Sequence, residues 1–143
     1  MIVKSILSAK GRDVATIAPT ATLAEATKIL AERKIGALVV TGAGGRITGI
    51  VSERDMVRAF AQHGASAFQL PLTDVMTRKV QTCSPTDTVS MLMEQMTAGK
   101  FRHLPVMEDD KLVGIISIGD VVKYRLTELE FEKDAMRDYI QTA

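Results

Sequence analysis

One motif occurs twice in this chain. Gly49-Ile50-Val51-Ser52-Glu53-Arg54-Asp55 returns as Gly114-Ile115-Ile116-Ser117-Ile118-Gly119-Asp120. Upstream, Ala18-Pro19-Thr20-Ala21-Thr22-Leu23 returns as Ser84-Pro85-Thr86-Asp87-Thr88-Val89. The prolines at 19 and 85 are 66 positions apart, and the glycines at 49 and 114 are 65 apart, so the register slips by one. The slip falls where Gly42-Ala43-Gly44-Gly45 faces Glu108-Asp109-Asp110. A duplication of this length implies two similar lobes about a pseudo-twofold axis, with any site near that axis present twice.

The chain has 143 residues, enough for a real core. Each repeat alone would be marginal, so the two are expected to bury their apolar faces together. A hydrophobic share of 46% with 24% charged residues fits an ordinary globular protein. The net charge of +1 leaves no electrostatic footprint for nucleic acid. The lone cysteine, Cys83, excludes an internal disulfide framework and fits a reducing compartment. No apolar run approaches the roughly 20 residues of a membrane helix. Met1–Leu7 is too short for the apolar region of a signal peptide. The expected location is the cytoplasm, away from membrane and nucleic acid.

Each repeat reads as strand, helix, strand, strand, helix. In the first, Val14–Ile17 is a short strand ended by Pro19. Thr22 and Glu25 form a capping box, and Leu23, Ala26, Ile29 and Leu30 follow at helical spacing. Gly36 reads as the breaker. Residues 37–40 and 47–51 form a hairpin, and Ser52 caps a helix through Met56, Val57 and Phe60. In the second, residues 80–83 are the strand, and Thr88 caps a helix carrying Val89, Leu92, Met93 and Met96 that Gly99 stops. Residues 104–106 and 112–116 form the hairpin, and Ser117 or Gly119 opens the last helix. Pro105 lacks an N–H, so it belongs at an edge or an unpaired point. Leu72–Met76 reads as a lead-in to the second repeat, and Lys4–Leu7 as its counterpart for the first. The expected boundaries are 8–62 and 74–126 for the repeats, 63–73 for a linker and 127–143 for a helical extension. Val122, Leu126, Leu129, Met136 and Ile140 mark an apolar stripe on that last helix, interrupted by Lys133, which needs a partner surface.

The doubled Gly-h-h-Ser-x-x-Asp pattern, where h is apolar, brings a strand to a helix start. The serine hydroxyl and the first helical N–H groups can meet a phosphate or a ribose oxygen. The aspartate, three residues on, can accept both vicinal hydroxyls of a ribose. The glycine leaves room for a flat ring or for a neighbouring backbone. The same pattern also serves as a plain helix start, with a serine cap and an acidic residue in the first turn.

The sequence resembles a tandem pair of cystathionine β-synthase (CBS) domains, often called a Bateman module. The doubled motif carries the resemblance, together with the paired Pro-x-x-Thr-h helix starts and Lys100-Phe101-Arg102-His103-Leu104-Pro105-Val106. It covers about residues 14–126. It implies an α+β fold of two β-α-β-β-α repeats related by pseudo-twofold symmetry, plus the long C-terminal helix. It also implies a regulatory module that binds an adenosine-containing ligand (AMP, ADP, ATP, NAD or S-adenosylmethionine) in the cleft between lobes. Asp55 and Asp120 would hold riboses, and Ser52 and Ser117 would contact phosphate or ribose. Adenine would lie against Ile35, Gly36, Ala37 and Leu38 in one site and against Phe101, Arg102, His103, Leu104 and Pro105 in the other. Thr16, Ile17 and Ala18, and likewise Thr82, Cys83 and Ser84, would close the pockets.

The two sites are unequal. Arg102 and His103 stand where the first repeat has Gly36 and Ala37, and Arg54 stands where the second has Gly119. Arginine suits phosphate because its planar fork binds two oxygens. Too few cations are in reach for three phosphates, which favours AMP or NAD over ATP. No nucleophile–base pair, clustered metal ligands or glycine-rich phosphate loop is present, so neither an enzyme nor a metal site is expected. The expected protein is a homodimer that signals to a protein partner in trans. The other reading is an interaction module whose clefts stay empty.

Overall fold

The first helix, α1 (Val3–Lys10), packs with the second repeat rather than the first. The computed structural model describes residues 1–142; Ala143, the end of the expected extension, lies outside the described residues. Val3 and Lys4 donate their N–H groups to the carbonyls of Asp87 and Pro85, each at 2.9 Å. Val3, Ile6 and Leu7 are buried. Two compact units result. One comprises Asp13–Gln81 with Asp109–Val113, and the other comprises Met1–Arg12, Thr82–Glu108 and the described residues from Gly114 to Thr142.

In the first unit, β1 (Thr16–Ile17) pairs in parallel with β2 (Ala37–Thr41), and β2 pairs antiparallel with β3 (Ile47–Ser52). Between β1 and β2 runs α2 (Leu23–Arg33). Thr22 and Glu25 form the expected capping box, at 3.2 and 3.3 Å. Ala37 through Val40 are all buried, as in a strand covered on both faces. Leu23, Leu30, Leu38, Val40, Val51 and Leu72 share one core. Each such fully buried side chain contributes roughly 1.5–3 kcal/mol.

After β3 comes α3 (Glu53–His63). The segment expected to be a linker is packed structure. It forms a 3-10 helix over Gly64–Gln69, with Ala67 fully buried and Phe68 set edge-on to Phe60 at 4.7 Å. Leu72–Met76 then stays with the first repeat. Thr77 and Ile50 exchange both backbone hydrogen bonds at 2.9 Å. Each lead-in therefore serves the repeat it does not precede.

The second repeat carries α4 (Val89–Gly99), β4 (His103–Glu108), β5 (Lys111–Ser117) and the 25-residue α5 (Ile118–Thr142). The strand expected at residues 80–83 does not form; only Cys83 bridges Val106. Pro105 explains the loss. In the first repeat Val39 N–H donates to Ala15 at 3.2 Å. The equivalent donor is Pro105, which has no N–H. The bonds that remain run from Cys83 N–H to Pro105 and from Met107 N–H to Cys83.

The helix stops also differ from expectation. Lys34 and Lys100, not Gly36 and Gly99, take the left-handed cap, with φ of 55° and 56°. Their N–H groups close back on Leu30 and Met96. Gly99 is needed for space instead: a Cβ there would lie 2.1 Å from the Phe101 ring. Cys83 is buried as expected, and burial, with Asp87 nearby, pushes its thiol up to about 12. No helix among the described residues is long and apolar enough to cross a membrane.

Candidate functional site

Each copy of the motif ends a strand on serine and starts a helix on the next residue. Ser52 closes β3 opposite Ala37, and its N–H donates to Asp55 Oδ2 at 2.9 Å. Ser117 closes β5, and its N–H donates to Asp120 Oδ2 at the same 2.9 Å. A second equivalence ties in the preceding loop. Glu53 N–H donates to Gly36, and Ile118 N–H donates to Arg102, at 3.1 and 2.7 Å. Two repeats with different side chains thus build one backbone shape, with a carboxylate fixed at a helix mouth.

The lead-ins complete these turns differently, and sequence reasoning missed both contributions. The Thr77 hydroxyl donates to Asp55 Oδ1 at 2.9 Å, the Ser52 hydroxyl donates to Oδ2 at 3.1 Å, and Arg58 lies 3.7 Å from Oδ1. Asp55 is only 4% exposed, the one charged residue in the core among the described residues. Asp120 instead meets Lys10, whose ammonium donates to Oδ2 at 2.7 Å and to the Ile115 carbonyl at 2.9 Å. Its side chain is 20% exposed. Burial pushes the Asp120 carboxyl up, but hydrogen bonds from Lys10 and the Ser117 backbone, the Lys10 charge and the Ser117 hydroxyl outweigh it. The net position is below the ordinary carboxylate value.

That sign sets a pH dependence. A carboxyl held below its unfolded value adds stability above the ordinary carboxylate range and loses it as pH falls through the folded value. Lys10→Ala is expected to move acid unfolding to higher pH, monitored by circular dichroism from pH 6 downward. Superimposable transitions for variant and parent would remove Lys10 from this role.

The motif glycines make room for the lead-ins, not for a flat ring. A Cβ on Gly49 would lie 2.6 Å from Met76 Sδ and 2.9 Å from the Thr77 carbonyl oxygen. On Gly114 it would lie 2.6 Å from Leu7 Cδ2.

In the first unit, Ser52, Arg54 and Asp55 share the α3 start, with Gly36 and Ala37 beside them. Thr16 and Ala18 are exposed, and Ile17 and Ile35 are half-buried. In the second unit, Ser117, Gly119 and Asp120 share the α5 start, with Arg102 exposed beside it. Phe101 and His103 are half-buried. Thr82 is exposed, and Ser84 donates its N–H to Asp87 at 2.8 Å. Leu38 and Leu104 are fully buried, and Cys83 and Pro105 nearly so. The Leu38 and Leu104 side chains belong to the cores rather than to a ligand surface. Among the described residues, no group of three or more His, Cys, Asp or Glu could hold a metal ion.

A family model described as the CBS domain matches residues 3–62 and 72–127. The chain belongs to the CBS domain family. Its CBS pair is similar to the CBS-domain containing protein ATU1752 from Agrobacterium tumefaciens, with 50% identity and a TM-score of 0.85 over 87% of this chain and 92% of that one. It is also similar to the CBS domain pair of protein MJ0100, solved with 5′-methylthioadenosine and S-adenosyl-L-methionine. There the identity is 26% and the TM-score 0.79 over 90% of this chain and 98% of that one. The mitochondrial CBS domain-containing protein CBSX3 of Arabidopsis thaliana is 36% identical over 124 residues. Those residues are 84% of this chain but only 60% of that relative.

Proposed function

We propose that this CBS pair is a regulatory module that binds an adenosine-containing ligand at its two Ser-x-x-Asp turns and signals to a protein partner in trans. The observation that carries the reading is the repeated geometry. Two turns hold a carboxylate at a helix mouth through the same serine N–H, at 2.9 Å in each. A carboxylate so placed accepts ribose hydroxyls, while the serine hydroxyl and helix N-terminus suit phosphate. The complex of MJ0100 with adenosine compounds supports this ligand class. AMP or NAD is favoured over ATP, because three phosphates require more cations than either turn supplies. The cytoplasm suits a chain with one reduced cysteine.

The Asp120 turn is the stronger site in this reading. Its carboxylate is more exposed than that of Asp55, and Lys10 and Arg102 supply positive charge within the same unit. Calorimetric titration of the full chain with AMP, ATP, NAD and S-adenosylmethionine tests it. Micromolar binding of AMP or NAD is expected, weakened at least about tenfold by Asp120→Ala. A folded sample that gives no heat with any of the four would overturn the reading in favour of an interaction module.

A further inference from the structure

From Val122 to Ile140, α5 carries a heptad seam whose apolar members all stay exposed among the described residues. Val122, Leu126, Leu129, Lys133, Met136 and Ile140 succeed one another at intervals of four, three, four, three and four residues. This is the repeat of a coiled-coil seam rather than of a helix lying on a globular core. The five apolar members are exposed: Val122 by 43%, Leu126 by 61%, Leu129 by 44%, Met136 by 63% and Ile140 by 67%. The seam runs for about 27 Å at the helical rise.

We propose that α5 pairs with α5 of a second copy as a parallel, in-register, two-stranded coiled coil. The charges flanking the seam choose the occupant and its direction. With Leu126, Lys133 and Ile140 at position a, and Val122, Leu129 and Met136 at d, Arg125 and Glu132 fall at g, and Glu130 and Arg137 at e. In a parallel pair, each g residue faces the e residue five positions later on the other helix. Arg125 of one copy then meets Glu130 of the other, and Glu132 meets Arg137. Symmetry doubles both pairs, so four opposite-charge contacts flank the seam and no like-charge contact appears among them. Lys133 is the one polar residue in the seam. A lone lysine at a costs stability but limits the assembly to a defined register and strand number. Its long stem lets the ammonium leave the seam toward the neighbouring Glu132 side chains. The inference is independent of ligand binding.

Cysteine cross-linking of the full chain tests both partner and direction. In a Cys83→Ser background, Lys133→Cys places two a-position thiols opposite each other, and Asp134→Cys places them on the outer face. Mild oxidation is expected to link Lys133→Cys chains into covalent dimers at least tenfold faster than Asp134→Cys chains. Adding Arg137→Glu is expected to slow the Lys133→Cys reaction, and adding Glu132→Arg to that variant to restore it. Since Glu132, Lys133, Asp134 and Arg137 are all exposed, the changes in α5 leave the fold intact, and circular dichroism checks this and the Cys83→Ser background. Equal cross-linking at 133 and 134, or no rescue by the charge swap, would overturn the proposal.

Discussion

Asp55→Ala is expected to lower stability by about 3 kcal/mol, and Asp120→Ala by only about 1 kcal/mol. The same motif residue has different surroundings in the two repeats. Asp55 is buried and accepts from Ser52 N–H, Ser52 O–H and Thr77 O–H. Removing its carboxylate strands the half-buried Ser52 donors and frees the hydroxyl of the exposed Thr77 to water, and an unsatisfied buried donor costs about 1–3 kcal/mol. Asp120 faces Lys10, itself 30% exposed, so the ammonium can rehydrate when its partner is lost. A part-exposed ion pair contributes little net stability. Chemical denaturation of both variants measures the difference. Thr77→Val is expected to be non-additive with Asp55→Ala, because the two share one bond. Equal losses at Asp55 and Asp120 would show that the lead-ins do not set the environments of these carboxylates. The same contrast leaves Asp120 the more exposed of the two carboxylates, as the proposed ranking of the two turns requires.

Gly49→Ala is expected to cost about 2 kcal/mol, and Gly114→Ala no more than about 1 kcal/mol. Neither glycine has a positive φ, so backbone strain is not the cause. The new Cβ at 49 meets the flexible end of Met76, but it also meets the Thr77 carbonyl oxygen. That oxygen cannot retreat freely, because it accepts the Ile50 N–H at 2.9 Å. Displacing Thr77 would also pull its hydroxyl from Asp55, so packing strain spreads into the candidate site. At 114 the three nearest atoms all belong to the Leu7 side chain, which can shift as a unit. Melting curves of the two variants give the comparison, and a larger loss at 114 would refute this ranking.

Elements set by local chemistry were legible in advance. The Thr22–Glu25 box, the Thr88 cap, the two hairpins and the long last helix all rest on neighbouring residues, and all appear in the structure. Pro105 was legible as an anomaly, since a missing N–H is visible in the sequence. That it reduces a whole strand to one bridge required the partner position. Gly36 and Gly99 misled because glycine is the usual helix stop. Here lysines tolerate the left-handed cap, and Gly99 is used for the space its absent Cβ leaves to Phe101.

By itself the sequence determined the duplicated architecture, because caps, hairpins and the Ser-x-x-Asp turns depend on residues a few positions apart. Only the tertiary structure decided what each aspartate touches. Thr77 is 22 positions from Asp55, and Lys10 is 110 positions from Asp120. Each reaches its aspartate because a lead-in crosses to the other repeat and fills the gap beside a glycine. Such pairings follow from how apolar segments such as Leu7 and Met76 find cover, a property of the packed chain that no local pattern encodes.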